Sequence, residues 1–100
     1  MEKKQLKRIL KAIAGETRLE ILAYLKQHQT ASVGEIANAL QRADNTISLH
    51  LQRLERLNIV VRRQRGVQAF YRLSLHQEPL VRQVLSLLYN GPHEPRMREP

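Results

Sequence analysis

Between the apolar stripe of "SVGEIANAL" and that of "NTISLHLQRLER" stands only "QRAD", Gln41 to Asp44. A link that short is a turn, so the two helices it joins must be neighbours in space that cross at an angle. In the first stretch Ser32 and Glu35 have the spacing of a capping box, and Val33, Ile36, Ala37 and Leu40 point inward. In the second, at about 100° per residue, Ile47, Leu51 and Leu54 fall on one side. Asp44 is the expected N-cap of that second helix.

The flanking segments complete the architecture. Leu6, Ile9, Leu10 and Ile13 give a first helix whose other face is rich in lysine. Gly15 interrupts it, and "ETRLEILAYLKQHQ" follows, with Glu16 and Thr17 as cap candidates and Leu19, Ile21, Leu22 and Leu25 along one side. After Asn58 the pattern becomes extended. "IVVRRQ", a turn at "RGV" and "QAFYRLS" read as a two-stranded hairpin tipped by Arg65 and Gly66. Pro79 opens a last helix, "PLVRQVLSLLYN", which Gly91-Pro92 is expected to end. Leu80, Val81, Val84, Leu85, Leu87 and Leu88 cover more of it than one packing stripe needs. Such a helix is buried on two sides, one against its own core and the other most simply against a second copy. Residues 1–90 then form one domain, and 91–100, "GPHEPRMREP", a polar, proline-rich, disordered tail. The fold expected is mainly α, a winged helix-turn-helix of about five helices with a β-hairpin wing.

Composition narrows the partners. Seventeen Lys+Arg against nine Asp+Glu give a net charge of +8, which suits a polyanion or an acidic membrane surface. Phe70, Tyr24, Tyr71 and Tyr89 are too few aromatics for a single-strand binder that stacks bases. The absence of cysteine excludes disulfides, thiolate-held zinc, iron–sulfur clusters and thiol redox sensing. His28, His50, His76 and His93 are scattered, whereas a zinc site needs convergent ligands, so neither metal nor other cofactor is expected. No Ser/His/Asp, paired-carboxylate or glycine-rich phosphate constellation argues for an enzyme. "MEKKQLKRILKAIAGE" has no signal-peptide core and no segment approaches a membrane span; a cytoplasmic protein that does not bind membranes is expected.

In a winged helix-turn-helix the second helix of the pair enters the major groove through its N-terminal residues. The face opposite Ile47 and Leu51 carries Asn45, Ser48, Leu49, Gln52, Arg53 and Arg56, with Thr46 beside them. Asn45 and Gln52 suit adenine, Thr46 and Ser48 can serve bases or phosphates, and Arg53 can reach guanine or backbone. Leu49 either meets a thymine methyl group or is a lone exposed leucine of the kind common on surfaces. From Gln41 to Arg72 the chain has seven arginines, Arg42, Arg53, Arg56, Arg62, Arg63, Arg65 and Arg72, against Asp44 and Glu55. Arginine's rigid fork suits phosphate and minor-groove contacts. Arg62, Arg63, Arg65 and Gln68 would form the contacting wing, and Ser32, at the start of the third helix, would add a phosphate contact. Charges on a hairpin also protect an edge from aggregation, but three arginines without an acid favour nucleic acid.

"KAIAGETRLEILAYL", "SVGEIANAL", "NTISLHLQRLERLNIVVRRQRG" and "FYRLS", in this order and spacing, resemble the ArsR (SmtB/ArsR) family of bacterial and archaeal winged-helix repressors over about residues 6 to 90. The resemblance implies a homodimer through the first and last helices, here Leu6, Leu10, Val81, Val84, Leu85 and Leu88. It also implies binding to an inverted repeat near a promoter, with release on a ligand or chemical signal. The departures are specific. Where metal- or thiol-sensing members carry Cys-x-Cys, this chain has "TASVGEI", and its last helix lacks the family's Asp/His ligand pairs. Where the family often has Gly-Leu-Ser-Gln between the paired helices, Gln41-Arg42-Ala43-Asp44 stands instead. The function expected is a dimeric, sequence-specific repressor that binds double-stranded DNA, with room for an unidentified small-molecule effector. The alternative is a non-specific DNA-packaging or winged-helix protein-interaction module.

Overall fold

A computed structural model of the chain describes residues 2–77 and 79–93, with side chains as far as Leu88. Its elements in chain order are α1 (Lys3–Ile13), α2 (Glu16–His28), β1 (Ala31–Ser32), α3 (Val33–Leu40), α4 (Asp44–Arg56), β2 (Val60–Arg65), β3 (Gln68–Leu73) and α5 (Pro79–His93). The expected winged helix-turn-helix is present: α3 and α4 are the joined pair, and β2 and β3 are the wing.

The capping box forms as its spacing requires. The Ser32 hydroxyl accepts from the Glu35 backbone N–H at 3.1 Å, and the Glu35 carboxylate accepts from the Ser32 backbone N–H at 2.8 Å. At the other end of α3, Gln41 adopts the left-handed conformation (φ 57, ψ 49) that glycine usually supplies. The Gln41 N–H donates to the Asn38 carbonyl at 3.3 Å and the Arg42 N–H to the Ala37 carbonyl at 3.0 Å, a Schellman closure made without glycine. Ala43 then follows in extended conformation as the N-cap of α4. Asp44 is therefore not the cap. It stands one residue inside the helix, where its carboxylate still favours the positive end of the helix dipole. Likewise Gly15, not Glu16 or Thr17, is the N-cap of α2.

α4 closes in the same manner. Asn58, at φ 61, lets the Ile59 N–H reach the Leu54 carbonyl at 3.0 Å, so the chain reverses and delivers Ile59 and Val60 into the core. The sheet has three strands, not two, in the order β1-β3-β2, all antiparallel. The added strand is the residue pair Ala31–Ser32, which lies against Tyr71 and Phe70. One core joins every helix: Ile9 and Ile13 from α1, Ile21, Leu22 and Leu25 from α2, Ile36 from α3, Ile47, Leu51 and Leu54 from α4, and Val81 and Leu85 from α5.

α5 runs on through Gly91 and Pro92 to His93, instead of ending before them. Proline removes one backbone donor and so weakens a last turn without having to cut the helix at the residue before it. The Tyr89 side chain and residues 94–100, the rest of the expected tail, lie outside the described residues.

A non-glycine residue held left-handed carries a backbone penalty of about 1–2 kcal/mol. The bond from the Gln41 side-chain amide to the Asn38 carbonyl, at 3.2 Å, offsets part of it. Gln41→Gly should therefore raise stability by up to about 1 kcal/mol, seen as a higher urea midpoint at unchanged m-value. A lower midpoint would show that the side-chain bond outweighs the backbone strain.

Candidate nucleic-acid interface

The rotation of α4 about its axis is set from below. Ile47, Leu51 and Leu54 are wholly buried, so the opposite side faces solvent. Asn45, Thr46, Gln52, Arg53 and Arg56 are exposed there, Ser48 is half-buried, and Leu49 is 66% exposed. The Gln52 side-chain amide faces the Ser48 hydroxyl at 3.5 Å, a long contact that leaves both groups able to turn to a ligand. All six expected recognition-helix residues thus share one surface. Arg56 extends it towards the end of the helix.

The wing divides its arginines between two faces. Arg62 pairs across the hairpin with Tyr71, on the side that carries buried Val60. Arg63 pairs with Phe70 and Arg65 with Gln68, on the opposite side, together with Val61 and Arg72. Arg62 donates to the Gln64 side-chain carbonyl at 2.6 Å, and the Gln64 amide donates to the Gly66 carbonyl at 3.0 Å, which stiffens the tip. Gly66, at φ 61, is the first of two loop residues, the position where a II′ hairpin turn demands a glycine. Val67 beside it is fully exposed, an apolar tip that the charge pattern gave no reason to single out.

Ser32 does not fit its expected role. It is 4% exposed and its hydroxyl is engaged in the capping box, so it orders α3 instead of reaching for a phosphate. Arg42 is engaged as well, with Glu20 at 3.3 Å. Among the described residues, Arg53, Arg56, Arg63 and Arg65 form no ion pair.

The expected self-association surface also needs correction. Val81 and Leu85 are buried in the core of the single chain and cannot face a partner. Leu10, 44% exposed, and Leu87, 71% exposed, point outward, with Leu6, Val84 and Leu88 half-buried. Leu87, one of six apolar positions on α5, had no periodicity signal that set it apart from the inward ones.

Among the described residues no group of three or more His, Cys, Asp or Glu side chains converges as a metal site, and no helix is long and apolar enough to cross a membrane. His28 stacks on Tyr24 at 4.0 Å between ring centroids. His50 packs beside the outer face of α4. Burial first, then the charges of Arg18 and Arg53, hold its pKa below the ordinary 6.5.

A recognition helix and an arginine-rich wing presented by this fold define a winged helix-turn-helix regulator of transcription. Comparison with known proteins places it further. Residues 13–63 match the Helix-turn-helix domain family. The chain is 36% identical over 91 residues to the transcriptional activator HlyU of Vibrio cholerae, covering 89% of this chain and 83% of that protein. A solved structure of V. cholerae HlyU superposes with a TM-score of 0.76 at 33% identity, over 94% of this chain and 100% of the other. The homodimeric winged helix-turn-helix domain of a possible ArsR-family regulator from Mycobacterium bovis superposes at 0.72 with 30% identity, over 97% and 88% of the two chains. The chain belongs to the ArsR-type winged helix-turn-helix transcription regulators. One V. cholerae structure is of reduced HlyU; the present chain has no thiol to oxidise.

Because His50 is protonated less readily in the folded chain than in the unfolded one, unfolding takes up a proton as the pH falls below 6.5. Its contribution to stability is therefore full above that pH and is lost on acidification. Urea unfolding at neutral pH and at about pH 5.5 should show a decline that His50→Gln reduces. An identical decline in the variant would show that His50 is not its source.

Proposed function

We propose that this protein is a dimeric, sequence-specific regulator that binds double-stranded DNA and represses transcription from an inverted-repeat operator. The observation that carries the reading is the outer face of α4. Short hydrogen-bonding side chains, a central exposed leucine and unpaired arginines stand there on a helix whose inner face is locked in the core. Base readout falls to Asn45, Ser48, Leu49 and Gln52, with Leu49 against a thymine methyl group, while Thr46 and Arg53 complete the DNA-contacting face of the helix. Arg62, Arg63, Arg65 and Gln68 on the wing hold backbone and minor groove. Residues 1–90 supply both DNA binding and dimerisation.

The dimer seam is assigned to Leu6 and Leu10 of α1 and to Val84, Leu87 and Leu88 of α5, which are among the apolar side chains that the single chain leaves exposed or half-buried. The homodimeric M. bovis relative supports that assembly. Relatives include an activator, HlyU, and a repressor, PagR of Bacillus anthracis. Repression requires only that a dimer occupy promoter DNA, which is the smaller demand on the surfaces described. The protein catalyses no reaction in this reading and works in the cytoplasm, on DNA.

Selection from a random duplex library should enrich an inverted repeat with half-sites about one helical turn, roughly 34 Å, apart. Retention of DNA without an enriched pattern would leave the charge real and the base-reading face wrong. On the enriched site, Gln52→Ala should relax preference at one base pair, by about 1–3 kcal/mol. Arg63→Gln with Arg65→Gln should instead lower the salt slope by up to about 1.8 while preference persists. Equal loss of both in either variant would sink the division between helix and wing. Leu10→Glu should shift the protein from dimer to monomer in sedimentation, and an unchanged dimer would move the seam elsewhere.

A further inference from the structure

A cleft of about 310 Å³ lies between α1 and the C-terminal half of α4, lined by Arg8, Lys11, Ala12, Arg53, Arg56 and Leu57. Every ionisable side chain on its wall is a cation. α1 contains no acid at all, and none of the four cations is ion-paired among the described residues. Glu55 is the only acid in the C-terminal half of α4. At about 100° per residue it sits roughly 160° around the helix from Arg53, away from the cleft. Four like charges gathered about one recess repel one another, and an anion placed there relieves all of them together.

The surroundings reinforce the sign. Arg18 donates to the Lys11 and Ala12 carbonyls, at 2.8 and 3.2 Å, and so fixes another guanidinium at the end of α1. His50, next to Arg53 on the same side of α4, has its pKa lowered first by burial and then by the charges of Arg18 and Arg53.

We propose that the α1–α4 cleft is a phosphate-binding site, filled in the complex by a backbone phosphate of the bound duplex beyond the bases that α4 reads. Two guanidinium forks from α4 and one from α1 match phosphate oxygens, and Lys11 adds a point charge. The duplex is the nearest source of phosphate because the cleft continues the recognition face. On the helical wheel Arg56 falls in line with Asn45, Leu49 and Gln52, and Arg53 lies one step towards α1. The site rests on the DNA-binding reading above and extends its footprint to α1.

Arg8 and Lys11 can be altered without touching core or seam. Ile9, Ala12 and Ile13 form the buried side of α1 and Leu6 and Leu10 another, while Arg8 and Lys11 are exposed. The test compares wild type with Arg8→Gln/Lys11→Gln on the selected operator, in a long duplex and in one trimmed to the recognised repeat. Arg8→Lys/Lys11→Arg serves as the charge-preserving control. The glutamine variant should bind the long duplex about fivefold more weakly at 0.15 M salt, with the slope of log K against log salt reduced by about 0.9, the loss expected for one phosphate. Base preference should be unchanged, and the control should bind as wild type does. Trimming should weaken wild type and leave the glutamine variant unaffected.

Unchanged affinity and slope in a variant that still selects the operator would overturn the clamp and leave the DNA-binding reading intact. Millimolar pyrophosphate, added to the protein alone and followed by NMR, separates the other source. Saturable shifts at Arg8 and Lys11 in wild type, with no effect of the substitutions on DNA binding, would make the site one for a free phosphate compound and overturn its assignment to DNA. Loss of operator selectivity in wild type itself would sink the DNA-binding reading, and with it the assignment of the cleft to the duplex.

Discussion

Burial of Ile47, Leu51 and Leu54 is the constraint on which the rest of the molecule turns. The three sit on one side of α4, and removing any one of their side chains would cost about 2–5 kcal/mol in a domain whose whole stability is of order 5–15. That cost fixes the rotation of the helix to within a side chain's width. A rotation of one residue would bury Ser48 and Gln52, bring apolar groups to the surface, and lose both the packing and the recognition face. The base-reading chemistry proposed for α4 is thus held in position by residues that would never touch DNA.

The two helix ends supply the remaining freedom that had to be removed. Schellman closures at Gln41 and Asn58 bend the chain sharply before and after α4, the first setting its angle to α3 and the second sending Ile59 and Val60 back beneath it. The wing therefore starts from a buried point, and its projection follows from strand pairing. Splitting Arg62 from Arg63 and Arg65 across the two faces of the hairpin means that the three cannot act as one patch. Arg63, Arg65 and Arg72 share a side with Gln68, while Arg62 is drawn towards Gln64 and the tip. Leaving these charges unpaired weakens the isolated chain slightly through self-repulsion and makes its surface favourable only next to a polyanion.

Much of this was legible in the sequence because it depends on periodicity and on local bonds. The capping box at Ser32 and Glu35, the inner face of α4 and the hairpin all follow from spacing alone. The misreadings share a physical cause: each depended on something outside its own segment. Asp44 looks like a cap, yet the closure at Gln41 sets the phase of the turn and gives that position to Ala43. Ser32 looks available for phosphate, yet the pairing of Ala31–Ser32 with β3, a strand too short to leave a pattern, buries it. On α5 the apolar residues are so numerous that periodicity cannot rank its sides. Only packing against the other helices shows that Val81 and Leu85 face inward and Leu87 outward.

That division of α5 bears on how two subunits would address one operator. Val81 and Leu85 belong to the same buried cluster as Ile47, Leu51 and Leu54, so the helix proposed to carry the seam and the helix proposed to read DNA share a core. Close-packed cores transmit displacement and do not absorb it. A dimer joined through the outer residues of α1 and α5 would then hold its two recognition helices at a spacing set by core packing, with no hinge between seam and groove. A signal that merely loosened the wing would change phosphate affinity and leave half-site spacing untouched. A signal that reached α5 would act first on α2, against which α5 packs, and through the core that α2 and α5 share with α4.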